Sequence, residues 1–175
     1  MSAATRVVAA QGLSAATATI AREAGVSNGS LFTYFDTKAD LFNQLYVGLK
    51  TEMAAAALDG LPAGSSPREQ MRHLWTNWLR WATACPDKRR ALAQLDVSDD
   101  VTPVSRQAAS RTMADIAGLL ERSRAHGPMR GAPLGLVVAL ANALADATTD
   151  FMLRDPGNAD RHAADAFEAL WRIVA

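Results

Sequence analysis

Apolar residues along this chain recur at spacings of three and four, the periodicity of helices that bury one face. Two short patterns of this kind meet at a glycine between Ala16 and Phe35. Ile20, Ala21 and Ala24 fall at i, i+1 and i+4, and Leu31 and Phe35 fall at i and i+4, so each set shares a helix face. Gly25 stands where a chain leaving a helix takes the left-handed conformation, which glycine adopts without a steric clash. Val26 is placed to plug the corner, and Ser27 is a good N-cap for the second helix. Asn28, Gly29, Ser30, Thr33 and Tyr34 are left facing outward. Helix, glycine-containing turn and short second helix with a polar outer face predict a helix-turn-helix.

The same reading extends along the chain. Met1 to Gln11 predicts a helix with Val7 and Val8 inward. Thr37 caps the next helix, with Asp40 in a capping-box position, and Leu41, Phe42, Leu45, Tyr46, Leu49 and Met53 form its apolar face. That helix ends before Asp59-Gly60 and is about 30 Å long at ~1.5 Å per residue. Residues 61–67 (Leu-Pro-Ala-Gly-Ser-Ser-Pro) are a linker by composition. Further helices are predicted near 67–84, 87–96, 103–125, 134–154 and 159–174. The fold expected is all-α: a helix-turn-helix head over residues 1–50, then a helical bundle over residues 51–175.

The outward residues of the second short helix fit a DNA reader. When such a helix lies in the major groove, its N-terminal residues meet base edges. Asn28 can pair with adenine through its amide, Ser30 can donate or accept, and Phe32 offers an apolar contact to a thymine methyl. Gly29 lets the backbone approach closely, beside the capping Ser27. Thr33, Tyr34 and Lys38 would hold phosphates, with Thr17 and Thr19 of the preceding helix as further contacts. Ile20, Ala21, Ala24, Gly25, Val26, Ser27, Gly29, Leu31, Phe32, Tyr34, Phe35 and Lys38 together resemble the signature of the TetR family of bacterial repressors. Phe32 stands where that pattern usually has tyrosine, and Asn28 where it often has lysine. The resemblance implies a dimeric regulator that binds a palindromic operator and a small-molecule effector. It also implies a longer first helix preceded by a basic arm, of which residues 1–11 supply only the end.

Two other readings compete for this stretch. One is a helical hairpin buried in a bundle, which has little use for the polar run Ser27 to Ser30. The other takes Gly25-Val26-Ser27-Asn28-Gly29 as the G-x-S-x-G elbow of a serine hydrolase, which requires a strand before the serine. The residues before Ser27 are helical in pattern, so no catalytic residue and no enzyme activity is expected.

Composition narrows the picture further. Alanine is prominent and nearly half the chain is hydrophobic, which favours helices. No apolar run has the length of a membrane span and no signal-peptide core opens the chain, so a cytoplasmic protein without membrane contact is expected. Cys85 is the only cysteine, and His73, His126 and His162 lack metal-ligand spacing, so neither a disulfide nor a metal site is expected. No glycine loop of the phosphate-cradling type is present, and no cofactor is expected. Charge is the discordant feature. Residues 1–50 carry Arg6, Arg22, Lys38 and Lys50 against Glu23, Asp36 and Asp40, four against three, although phosphate attraction supplies much of DNA affinity. A dimer presents each contact twice, and hydroxyls and backbone N–H groups also bind phosphate. A helical ligand-binding protein without DNA recognition stays open on this ground.

In the second region Met71, Leu74, Trp75, Trp78 and Trp81 form a stripe on one helix. It is either core packing or the wall of an effector cavity with Met113 and Phe151 as further lining, aromatic walls being what small-molecule pockets use. The segment 134–154 is apolar almost all round, which argues for burial on more than one side. With the helix over 159–174 it is expected to form half of a four-helix bundle in a homodimer, or else an intrachain core pair. Lys88-Arg89-Arg90 reads as a solvated basic face or as a relay between body and head.

Overall fold

The computed structural model describes residues 1–175 as ten α-helices and a short 3-10 turn, with no strand. The helices are α1 (Ser2–Gln11), α2 (Thr17–Glu23), α3 (Asn28–Leu31), α4 (Lys38–Leu58), α5 (Pro67–Ala84), α6 (Pro86–Asp96), α7 (Pro103–Thr112), α8 (Ala114–Arg124), α9 (Leu134–Arg154) and α10 (Ala159–Val174). The chain divides into two compact units, Met1–Glu52 with Cys85–Met113, and Met53–Ala84 with Ala114–Ala175. The segment holding α6 and α7 therefore clusters with the N-terminal helices.

In the first unit α1 lies against α2 and α6, burying Ala3, Ala4, Val7 and Val8. Leu41, Phe42, Leu45, Tyr46 and Leu49 of α4 and Ala91, Leu92 and Leu95 of α6 complete its interior. Polar contacts fix the register. Gln94 Nε2 donates to the Val8 carbonyl at 3.1 Å, and Lys50 pairs with Asp96 at 2.9 Å. Buried Asn43 uses its whole amide. Its nitrogen donates to the carbonyls of Ala39 and Asp100 (2.7 and 2.8 Å), while its oxygen accepts from the Thr102 amide and hydroxyl (2.8 and 3.1 Å). Tyr46 lies beside Lys50 and Arg106, and burial, with Asp96 nearby, pushes its hydroxyl up to about 12. Arg106 also donates to the carbonyls of Asp96 and Ser98 at 3.0 and 2.8 Å, closing the α6–α7 turn.

The core of the second unit is built from Met71, Leu74, Trp75 and Leu79 of α5, Leu119 and Leu120 of α8, Val137, Ala141 and Ala145 of α9, and Phe167, Leu170 and Val174 of α10. A capping box starts α5. Ser66 N–H donates to Glu69 at 2.9 Å, and the Ser66 hydroxyl and amide hold the Glu69 carboxyl below the usual range. After α8, buried Arg124 donates to the carbonyls of Met129 and Ala132 (2.7 and 2.6 Å) and is forked onto Glu121, so the turn to α9 closes around one guanidinium.

Two expectations are corrected. The single helix predicted over 103–125 is two. The Thr112 hydroxyl donates to the Ala109 carbonyl at 2.7 Å, the acceptor Met113 N–H would use in a continuing helix, and Met113 turns instead to Ser110. Secondly, Leu134–Arg154 is long and apolar enough, by length and composition alone, to cross a membrane. Asn142, Asp146 and Asp150 interrupt it and five of its residues join the interior of its unit, so the same composition serves a helix with two apolar faces.

Candidate nucleic-acid interface

The corner of the helix-turn-helix is built by local bonds. Gly25 has φ +71°, with open space where a side chain would stand, and its neighbour Val26 returns its amide to the Ala21 carbonyl at 3.0 Å. Ser27 has the extended backbone of an N-cap, and its hydroxyl accepts from the Ser30 amide at 3.0 Å. The Ser27 and Ser30 hydroxyls lie 2.8 Å apart, so Ser27 holds the turn and orients Ser30. Leu31 anchors α3 from beneath, with Phe35 half-buried behind it. Half of the expected box forms at the start of α4: Asp40 N–H donates to the Thr37 hydroxyl, while the Asp40 carboxylate accepts from the Asp36 amide, one residue before the cap.

These anchors leave Asn28, Gly29, Ser30, Phe32, Thr33 and Tyr34 on one exposed surface, with Tyr34 77% exposed. The Asn28 amide has no partner within the protein. Thr33 donates its hydroxyl to the Ser30 carbonyl and keeps its oxygen free to accept. Lys38 is half-buried, its ammonium 5.2 Å from the Phe42 ring centroid and without a carboxylate partner. Thr17 and Thr19 lie half-buried in the first turn of α2. Two inward assignments fail at this corner. Val26 is 42% exposed and Ala24 is exposed as well, because the glycine turns the chain outward before the valine can reach the interior. Ser27 follows a helix and a turn, with Ser30 as its partner, which is the wrong setting for a nucleophile elbow.

Of the residues named for an effector, four fall in the second unit and one in the first. Met71 and Trp75 belong to the core of the second unit, where the Trp75 indole N–H donates to the Ala163 carbonyl at 3.0 Å. Trp78 packs edge-on against Trp75 with ring centroids 6.1 Å apart. Met113 ends α7 and falls in the first unit. Phe151 is 56% exposed, between the His162 ring and the Arg154 guanidinium, and so lies on the outer side of α9. Sequence reasoning passed over Asn43, whose only signal was an amide inside an apolar stripe.

Residues 1–45 match the model of the bacterial regulatory proteins, tetR family. A Shewanella sp. PV-4 protein assigned to the tetR family of transcription regulators is 29% identical, with a TM-score of 0.85 over 97% of this chain and 93% of that one. A TetR family transcription regulator from Marinobacter aquaeolei VT8 is 24% identical, with a TM-score of 0.88 over 99% and 92% of the two chains. The transcriptional regulator FadR from Bacillus subtilis, solved in complex with stearoyl-CoA, shares the fold at 15% identity and a TM-score of 0.72, covering 99% and 97%. The all-helical fold with its helix-turn-helix head is that of a DNA-binding regulator. The chain is thus similar to tetR-family transcription regulators, by the family model over residues 1–45 and by fold over nearly its whole length.

Proposed function

We propose that the protein is a cytoplasmic repressor whose α3 enters the major groove of a palindromic operator. The observation that carries this reading is the uninterrupted exposed run Asn28, Gly29, Ser30, held outward by buried Leu31 and by the Ser27 cap. In this reading Asn28, Ser30 and Phe32 meet base edges, and Thr33, Tyr34, Lys38, Thr17 and Thr19 position the head on phosphates. Two copies pair through α9 and α10. The support is an exposed stripe on α9 at Leu136, Leu140, Ala143, Ala147 and Phe151, opposite the face that its own unit buries. A small, largely apolar effector binds in the second unit beside Met71 and Trp78, a reading favoured by the indole stripe and by the acyl-CoA held in the Bacillus subtilis FadR structure. The effector releases DNA only in so far as it binds the two conformations with different affinity.

The test is selection of bound fragments from a random DNA pool, followed by two variants. Tyr34→Ala weakens binding to every sequence alike, whereas Asn28→Ala relaxes the preference at one base position. Equal losses at all sites in both variants would remove Asn28 from the base-reading role.

A further inference from the structure

Asn28 is followed by glycine, and the other four asparagines are not: Asn43, Asn77, Asn142 and Asn158 precede glutamine, tryptophan, alanine and alanine. The pair is exposed, and the Asn28 side chain is unengaged. No Cβ stands over the next amide nitrogen, which has no acceptor of its own in the protein. The helix around it is one turn long, held by the amides of Ser30 and Leu31 on Ser27 and by Phe32 N–H on the Asn28 carbonyl at 3.4 Å. Such a turn frays readily, and fraying frees the Asn28 backbone to bring its side-chain carbonyl carbon against the next nitrogen.

We propose that Asn28 is a site of spontaneous deamidation that switches the reading head off. The Gly29 nitrogen attacks the Asn28 side-chain carbonyl carbon and loses its proton, and the amide nitrogen leaves as ammonia, closing a five-membered imide. Water then opens the imide at either carbonyl, giving aspartate or the isoaspartyl linkage at position 28. No oxidant or enzyme enters, and the net change is amide plus water to carboxylate plus ammonium. Both products place a negative charge at the head, and the isoaspartyl form also lengthens the backbone by one carbon. The consequence for DNA rests on the function proposed above. A carboxylate there can no longer donate to adenine and faces the phosphates of the duplex.

The test incubates the full-length protein at mildly alkaline pH and follows each asparagine-containing peptide by mass spectrometry, with isoaspartyl methyltransferase labelling. The amide-to-acid mass change is expected at position 28 well ahead of the other four, slowed by bound operator and by Gly29→Ala. An alanine Cβ at that position meets only the Ser27 hydroxyl at 3.8 Å, so this variant folds, which circular dichroism checks. Conversion at position 28 no faster than elsewhere, or unaffected by Gly29→Ala, overturns the site. Asn28→Asp is expected to keep its melting temperature and to lose about tenfold or more in operator affinity. Conversion with full operator affinity retained overturns the switch and the base-reading role of Asn28 together, while leaving the chemistry standing.

Discussion

At the scale of single residues, a neutral amide works beside the charged groups that fix the head. Asn43 joins α4 to the α6–α7 turn with every donor and acceptor of its amide satisfied. Buried and fully bonded, such a group is worth most through what its removal leaves behind, since an orphaned donor or acceptor loses its water as well as its partner. Asn43→Ala strands the Thr102 amide and the Asp100 carbonyl, and is expected to cost about 2–3 kcal/mol in urea unfolding. Asn43→Asp should also destabilise, because it sets a carboxylate against the carbonyls of Ala39 and Asp100. A change within about 0.5 kcal/mol, the range of ordinary surface substitutions, would mean that water replaces the amide at no loss. Part of the local chemistry was legible in the sequence. Gly25, the Ser27 cap and the Thr37–Asp40 box each depend on neighbours within four residues. Asn43 was not legible, because its partners lie 57 and 59 residues away.

Legibility declines at the scale of elements. Helices α5, α9 and α10 fall where their periodicity places them, whereas the α7–α8 break turns on one hydroxyl choosing between carbonyls. Met71, Leu74 and Trp75 of the stripe join one core with Trp78 packed against it, but spacing cannot say which indole is locked. Trp75 is, by the Ala163 carbonyl, and Trp78 only packs against it. Elements also meet through positions that carry no pattern. A Cβ at Gly127 would stand 2.0 Å from the Val174 carbonyl oxygen and 2.8 Å from Ala175 Cα, backbone atoms that cannot rotate aside. Gly127→Ala must therefore lift the end of α10 from the α8–α9 turn. The expected cost is about 1–3 kcal/mol, read as a lower thermal midpoint. Gly131→Ala in the same turn meets nothing within 4 Å and serves as the control that should leave the midpoint near its starting value. Similar midpoints for the two would show that the turn yields without strain.

For the whole molecule, the proposed dimer would account both for the weak charge of the head and for the exposed apolar stripe on α9. Within residues 1–50, Arg6 is tied to Glu23 and Lys50 to Asp96, leaving Arg22 and Lys38 without a carboxylate. A single head thus offers few cations to the duplex, and two heads held together offer each contact twice. At about 0.9 per neutralised phosphate, a dimer using these two cations per head gives a log–log salt slope near −4 or shallower. The pairing surface proposed above is the outer stripe of α9, where Leu140 is 41% exposed and absent from the core of its unit. Exposed alanines beside it, Ala143 and Ala147, allow a second helix to approach closely. Leu140→Glu puts a charge into that contact without touching the interior. The variant should sediment as a monomer, melt as a folded protein, and lose operator affinity by far more than any head substitution outside α3. If it stays dimeric and binds DNA as before, the stripe is not the pairing surface. A monomer that keeps full affinity would separate DNA recognition from pairing and leave the charge deficit of the head to be met within one chain.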